Sequence, residues 1–241
     1  MVNIDTVYQK VLTFANKEQR GYITPQEFNL FADQAQKEIF EQYFYDLNQF
    51  SRAPGNSEEY SDIIHNINEK IAIFEKVADV QNNVTTLSAA DLYRLGTVMS
   101  SVQIGSSYSG SESSTTAEVE VEEVQQNEIL YLNLSYLTRP TENRPVYVRT
   151  GKNKIQIYPA TITSAKYTYV STPTKPAWNY VVVNNKAMFN PSGKVDFELH
   201  PSEENELVYK ILKFAGLAMK RDDIARGGQG LESLQIQQEK Q

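Results

Sequence analysis

Cysteine is absent from the 241 residues, which removes disulfides, thiolate metal sites and cysteine nucleophiles and fits assembly in a reducing cytoplasm. Histidine is scarce. His65 and His200 stand far apart, with no second histidine or cysteine near either, so zinc binding and histidine-based nucleophilic catalysis lack a donor set. No apolar run approaches the roughly 18 residues that span a bilayer, and the opening MVNIDTVYQK lacks the basic-then-apolar order of a signal peptide. Positive charge is in deficit, with 23 Lys and Arg against 30 Asp and Glu and a net charge of -7. With no basic stripe, nonspecific wrapping of nucleic acid is disfavoured, because phosphate binding needs a cationic face. A phosphate-binding loop is missing too: Gly227-Gly228-Gln229-Gly230 has neither a preceding strand nor a following Lys-Ser/Thr. These absences lead us to expect a soluble intracellular protein, not an enzyme, with no cofactor, no metal, no membrane partner and no small-molecule substrate.

What is present is patterned sequence of two kinds. Residues 145–199 alternate apolar and polar positions, as in Val146/Val148, Ile155/Ile157, Tyr167/Tyr169 and Val195/Phe197/Leu199. That is the period of half-buried strands, read here as PVYVR, KIQIYP, SAKYTYV, NYVVV, AMF and VDFEL. Seven of the nine prolines fall between Arg139 and Pro201, where they end strands and fix turns. Asn184-Asn185 suits a two-residue hairpin turn, since asparagine tolerates positive φ.

Helical periodicity brackets this stretch. Ile4, Val7, Val11 and Phe14 mark a first helix. Thr24, Pro25 and Glu27 form a capping box that starts a second, running to about Asn48, with Phe28, Phe31, Ala32, Ala35, Ile39, Tyr43 and Leu47 as its buried stripe. Phe40, Phe44 and Tyr45 widen that apolar surface beyond one face. A third helix is expected over 57–79, and a short capped helical turn over 87–95 around Ser88 and Asp91. Val98 to Ile104 and Val119 to Val121 alternate and are expected to pair as a hairpin. Its tip, residues 105–117, holds only Tyr108 as a large apolar residue and should be mobile alone. The glutamates at 118, 120, 122 and 123 guard the adjoining strand against stray edge pairing. Residues 127–137 read as a short helix. Ser202, Glu203 and Glu204 open a last helix with Leu207, Ile211, Leu212, Phe214, Ala215 and Met219 on its apolar face.

The domain plan is therefore α+β. We expect an N-terminal helical bundle over 1–97, completed by C-terminal helices over 202–226. Between them lie an extended hairpin with a short helix (98–137) and an antiparallel β module, a small sandwich or barrel, over 138–201. A loose tail occupies 227–241.

Candidate chemistry is thin. Residues 16–27 place Gly21, Ile23 and Glu27 as a calcium-binding EF-hand loop would, but Lys17 and Arg20 bring positive charge where oxygen ligands belong, and a turn plus capping box explains the same residues. The acidic pairs Glu58-Glu59, Glu203-Glu204 and Asp222-Asp223 sit at helix starts or surface segments and read as capping and solvation. Aromatics are enriched, with 15 Tyr, 10 Phe and one Trp. Tyr167, Tyr169, Trp178 and Tyr180 suggest packing or subunit contact before a stacking platform for sugar or base.

The runs SYLTRPTENRPVYVRTGKNKIQIYP (135–159), KPAWNYVVV (175–183) and FELHPSEENELVYKILKFAGLAMKRDDI (197–224) resemble virion structural proteins of short-tailed bacteriophages, of marine and crAss-like lineages. The N-terminal run over 15–43 is similar to the same group. The resemblance implies a head-to-tail connector: an adaptor or ring protein beneath the portal, commonly twelvefold, on a fold of helical bundle plus β-structure. It implies a homo-oligomeric ring, contacts with the portal and other neck or tail proteins, and genomic DNA passing through the lumen without sequence-specific binding. Its place would be the neck or tail of the virion, after assembly in the host bacterial cytoplasm. Interface candidates are Phe40, Phe44, Tyr108, Arg139, Arg144, Trp178, Leu231 and Leu234. The alternatives are another tail structural protein, such as a fibre-attachment or tail-hub component, and a carbohydrate-binding module using Trp178 and nearby tyrosines.

Overall fold

A computed structural model describes residues 1–16, 23–51, 58–81, 85–104, 115–219 and 222–239. The chain is α+β and divides into two units: Met1–Ile73 with Pro173–Gln241, and Phe74–Thr172.

The first unit is mainly helical. Helix α1 (Ile4–Asn16) buries Ile4, Val7, Tyr8, Val11 and Ala15. Phe14, expected in that stripe, is exposed, because the buried line steps from Val11 to Ala15 by a full four residues. Helix α2 (Pro25–Ser51) starts on the expected capping box: the Thr24 backbone N–H donates to Glu27 Oε2 at 3.0 Å, and the Glu27 N–H donates back to Thr24 Oγ1 at 3.3 Å. The Thr24 hydroxyl and N–H together hold the Glu27 carboxyl below its ordinary pKa. Helix α3 (Glu58–Ala72) packs on α2. After a 3-10 turn at Pro201–Glu203, helix α5 (Glu204–Ala218) buries Leu207, Val208, Ile211, Leu212 and Ala215 and packs against α1, α2 and α6 (Asp222–Glu239).

The polar faces of α2 also organise the segment that leads into α5. Gln36, fully buried, donates through Nε2 to the Thr174 carbonyl at 2.8 Å and accepts from the Glu198 N–H at 3.1 Å. Asn29 repeats the pattern with both backbone groups of Trp178. Two side-chain amides thus satisfy backbone that belongs to no ladder. The VDFEL run is not a strand; Val195 and Phe197 make only single bridges, to Ala177 and Val2. Its alternation is real, with Phe197 and Leu199 buried, but its pairing partners are these amides and bridges.

The second unit is a closed seven-stranded barrel in the order β1 (Glu75–Gln81), β2 (Thr86–Leu87), β6 (Lys154–Tyr158), β5 (Val146–Gly151), β4 (Thr115–Glu123), β3 (Leu92–Ile104), β7 (Ala165–Ser171). All pairs are antiparallel except β4 with β5, whose connection runs through helix α4 (Glu128–Leu134). Val98, Val121, Tyr147, Ile155, Tyr167 and their neighbours fill the interior. The Tyr167 hydroxyl accepts from the Ala89 N–H at 2.9 Å, so the ring is buried without an orphaned oxygen. Gly96 sits at an irregularity in the β3–β7 register, where a Cβ would lie 2.5 Å from Thr168 Oγ1. The expected β3–β4 hairpin is present, and β3 pairs with β4 out to Ile104 and Thr115, beyond the last β3–β7 pair at Ser100.

Four further expectations are corrected. The third helix ends at Ala72, and Glu75–Gln81 is a strand. Its helical spacing is outweighed by pairing of five successive residues with β7. The expected helical turn over 87–95 is the end of β2, a turn over 88–91 and the start of β3: Asp91 accepts from Lys76 Nζ at 3.0 Å and from the Tyr169 hydroxyl at 3.3 Å, and Ser88 donates to the Asp79 carbonyl, so neither residue caps a helix. The tail over 227–241 is helical as far as Glu239. The β module over 138–201 is divided: β5, β6 and β7 join the hairpin and β1 in the barrel, whereas β8 (Tyr180–Val183) and β9 (Lys186–Phe189) form a separate sheet in the helical unit. The Asn184-Asn185 turn between them is as expected, with φ of 50° and 60°. Residues 17–22, 52–57 and 105–114, which include most of the expected hairpin tip, lie outside the described residues.

Candidate interaction surfaces

Helix α4 presents more apolar side chain than one helix face can hide. Ile129 is buried in a cluster with Val124, Val146 and Val148, and Leu132 and Tyr158 pack against it. The rest of the run points to solvent: Leu130, Tyr131, Leu134, Tyr136 and Leu137 are 66 to 93% exposed. A turn in which the Arg139 N–H donates to the Ser135 carbonyl, followed by a bridge between Thr141 and Arg144, ends this segment. Arg139 and Arg144 are both exposed beside it in sequence.

The second apolar surface lies on the helical unit. Across the β8–β9 hairpin Tyr180 faces Phe189, and both rings stack on Trp178 at centroid distances of 5.9 and 5.7 Å. The period of two puts Val181, its partner Met188, and Val183 on the opposite face. These side chains are 46 to 57% exposed; Val182, on the Tyr180 side and paired with Ala187, is 62% exposed.

The predicted interface residues divide accordingly. Trp178 is 3% exposed: its ring lies 4.3 Å from that of Tyr8, and Nε1 donates to Asp5 Oδ1 at 2.9 Å, which makes it a packing anchor inside the helical unit. Phe40 is buried and meets the half-buried Phe44 edge-on at 5.1 Å within α2. Leu231 and Leu234 are exposed on α6. Tyr108 lies outside the described residues. Sequence reasoning missed Leu130, Tyr131, Leu134, Tyr136 and Leu137. The signal was available, since ILYLNLSYL carries seven large apolar residues in nine positions, too many for one stripe.

Charge in the helical unit is concentrated where α6 meets α5. Lys210 Nζ lies 2.7 Å from Glu232 Oε1 and 3.4 Å from Glu206 Oε1, all three residues being buried, and Lys213 reaches Glu232 Oε2 at 3.1 Å. Burial disfavours both charges, but the opposed ions outweigh it, holding Glu232 below and Lys210 above their ordinary pKa values. Close approach of the backbones makes this possible: at Gly228 an added Cβ would stand 3.0 Å from the Tyr209 carbonyl oxygen.

A groove of about 380 Å³ lies between α2, α3 and α6, lined in part by Ile39, Tyr43, Ile67, Lys70, His200 and Ile236. The nearest approach to a catalytic arrangement is local. His200 Nδ1 and Ser202 Oγ are 2.9 Å apart, but His200 accepts from the Ser202 N–H and the hydroxyl donates to Glu203, which is the geometry of a cap on the 3-10 turn. His65 is exposed on α3. Among the described residues no three His, Asp or Glu side chains form a metal-holding group, and no helix is long and apolar enough to cross a membrane. No family model and no curated protein sequence matches the chain.

Proposed function

We propose that the chain is a structural virion protein of a short-tailed bacteriophage, a connector or adaptor ring protomer that joins the portal to the tail. The observation that carries this reading is the pair of unlike exposed apolar surfaces, one on each unit, among the described residues. Repeating one heterologous contact around an axis needs two such different surfaces on every copy. The resemblance over 135–159, 175–183 and 197–224 supports the same reading, as does a helical unit, here taken as the bundle of that family, joined to a β unit. In this account the ring is closed and commonly twelvefold, contacts portal and neck or tail proteins, and makes no bonds.

The net charge of -7 suits the wall of a conduit that must not grip passing phosphates. A basic lumen in the assembled ring would count against that part of the proposal. Counting copies and symmetry in purified particles tests the role: a ring of copies at the neck is expected, and copies confined to fibres or to the tail tip would replace it with another tail role.

A further inference from the structure

Resting on the ring reading, we infer that the α4 segment of one copy docks on the outer face of the β8–β9 hairpin of the next. The first argument is area. Leu130, Tyr131, Leu134, Tyr136 and Leu137 together expose on the order of 600 Å² of side chain, at the upper end of the largest patch found on a typical monomer. On the outer face Val181, Val183 and Met188 add on the order of 250 Å². Specific interfaces are about 60% apolar, so these two surfaces face to face correspond to roughly 1,400 Å² buried in total, the size of a standard stable interface.

The second argument is shape and chemistry. The hairpin offers a flat β-branched face whose reverse side is fixed by Trp178, and α4 offers a convex row of Leu and Tyr whose reverse side is fixed by Ile129. The two surfaces are unlike, a helix row on one unit and a two-stranded ribbon on the other. Pairing them between copies is therefore heterologous, which is the contact that propagates around an axis. Opposite charges stand at their rims, Glu128 at the start of α4 and Lys186 beside the hairpin turn.

The lack of native cysteine makes the test direct. Leu134→Cys and Met188→Cys are prepared separately in the full-length chain, checked for wild-type circular dichroism melting, mixed, and oxidised. Disulfide-linked dimers are expected in the mixture and not in either variant alone. A Leu134→Cys variant that cross-links to itself would overturn the heterologous docking, and so would a ring that assembles normally yet gives no cross-link in the mixture. In those cases the ring reading stands. A wild-type chain that stays monomeric at the highest soluble concentration would overturn both.

Discussion

Trp178 shows how a residue conspicuous in sequence can be conspicuous for packing alone. Its ring is enclosed by Tyr8, Tyr180 and Phe189, and its indole N–H is used by Asp5. Trp178→Ala is expected to lower stability by about 3–5 kcal/mol, read by urea denaturation followed by circular dichroism. A loss below about 1 kcal/mol would show that the cluster is not a core. Glu232 makes a second case at this scale. Glu232→Gln leaves Glu206 as the carboxylate paired with Lys210 and is expected to cost about 3 kcal/mol, concentrated in α6. The wild-type pH dependence follows from the same pair. Glu232 is depressed when folded, so its contribution is present above its unfolded pKa of about 4.3 and is lost as pH falls through the lower folded value. Lys210 is raised, so its contribution is full below about 10.4 and is lost as pH climbs through the higher folded value. Protection of the α6 amides, their exchange taken relative to the intrinsic rate at each pH, should be highest between these limits and fall outside them.

Elements were legible wherever local chemistry and tertiary pairing agree. The Thr24–Glu27 box, the Asn184-Asn185 turn and the β3–β4 hairpin each carry their determinant within a few residues, and the structure has all three. The segment 75–81 was misread because its apolar spacing fits a helix, while the partner that makes it a strand, β7, lies about ninety residues onward. Helix α6 was hidden by its glycines: they weaken a helix taken alone, yet Gly228 lets the backbone come close enough for Glu232 to reach Lys210. The interface candidates fared similarly. Length and polarity singled out Phe40 and Trp178, but exposure depends on which face a neighbour takes, and α4 lacks a neighbour for most of its apolar residues. Gly96 supplies the test for the barrel. Gly96→Ala would set a methyl against Thr168 and is expected to cost about 1–3 kcal/mol in the thermal or urea unfolding of the protein. A neutral substitution would mean that the β3 irregularity relaxes freely.

At the scale of the whole molecule, the described residues leave an apolar surface exposed on each unit, and the two surfaces differ. Such surface left in water favours association. Net negative charge opposes random clustering, so association should be confined to the contacts whose shapes fit. The measurement that tests this most directly is electron microscopy of the purified full-length protein with class averaging along the particle axis. The account predicts closed rings of one fixed rotational symmetry, with every copy using the same two surfaces. Isolated monomers at every concentration, or symmetric dimers that bury the α4 segments against each other, would contradict it.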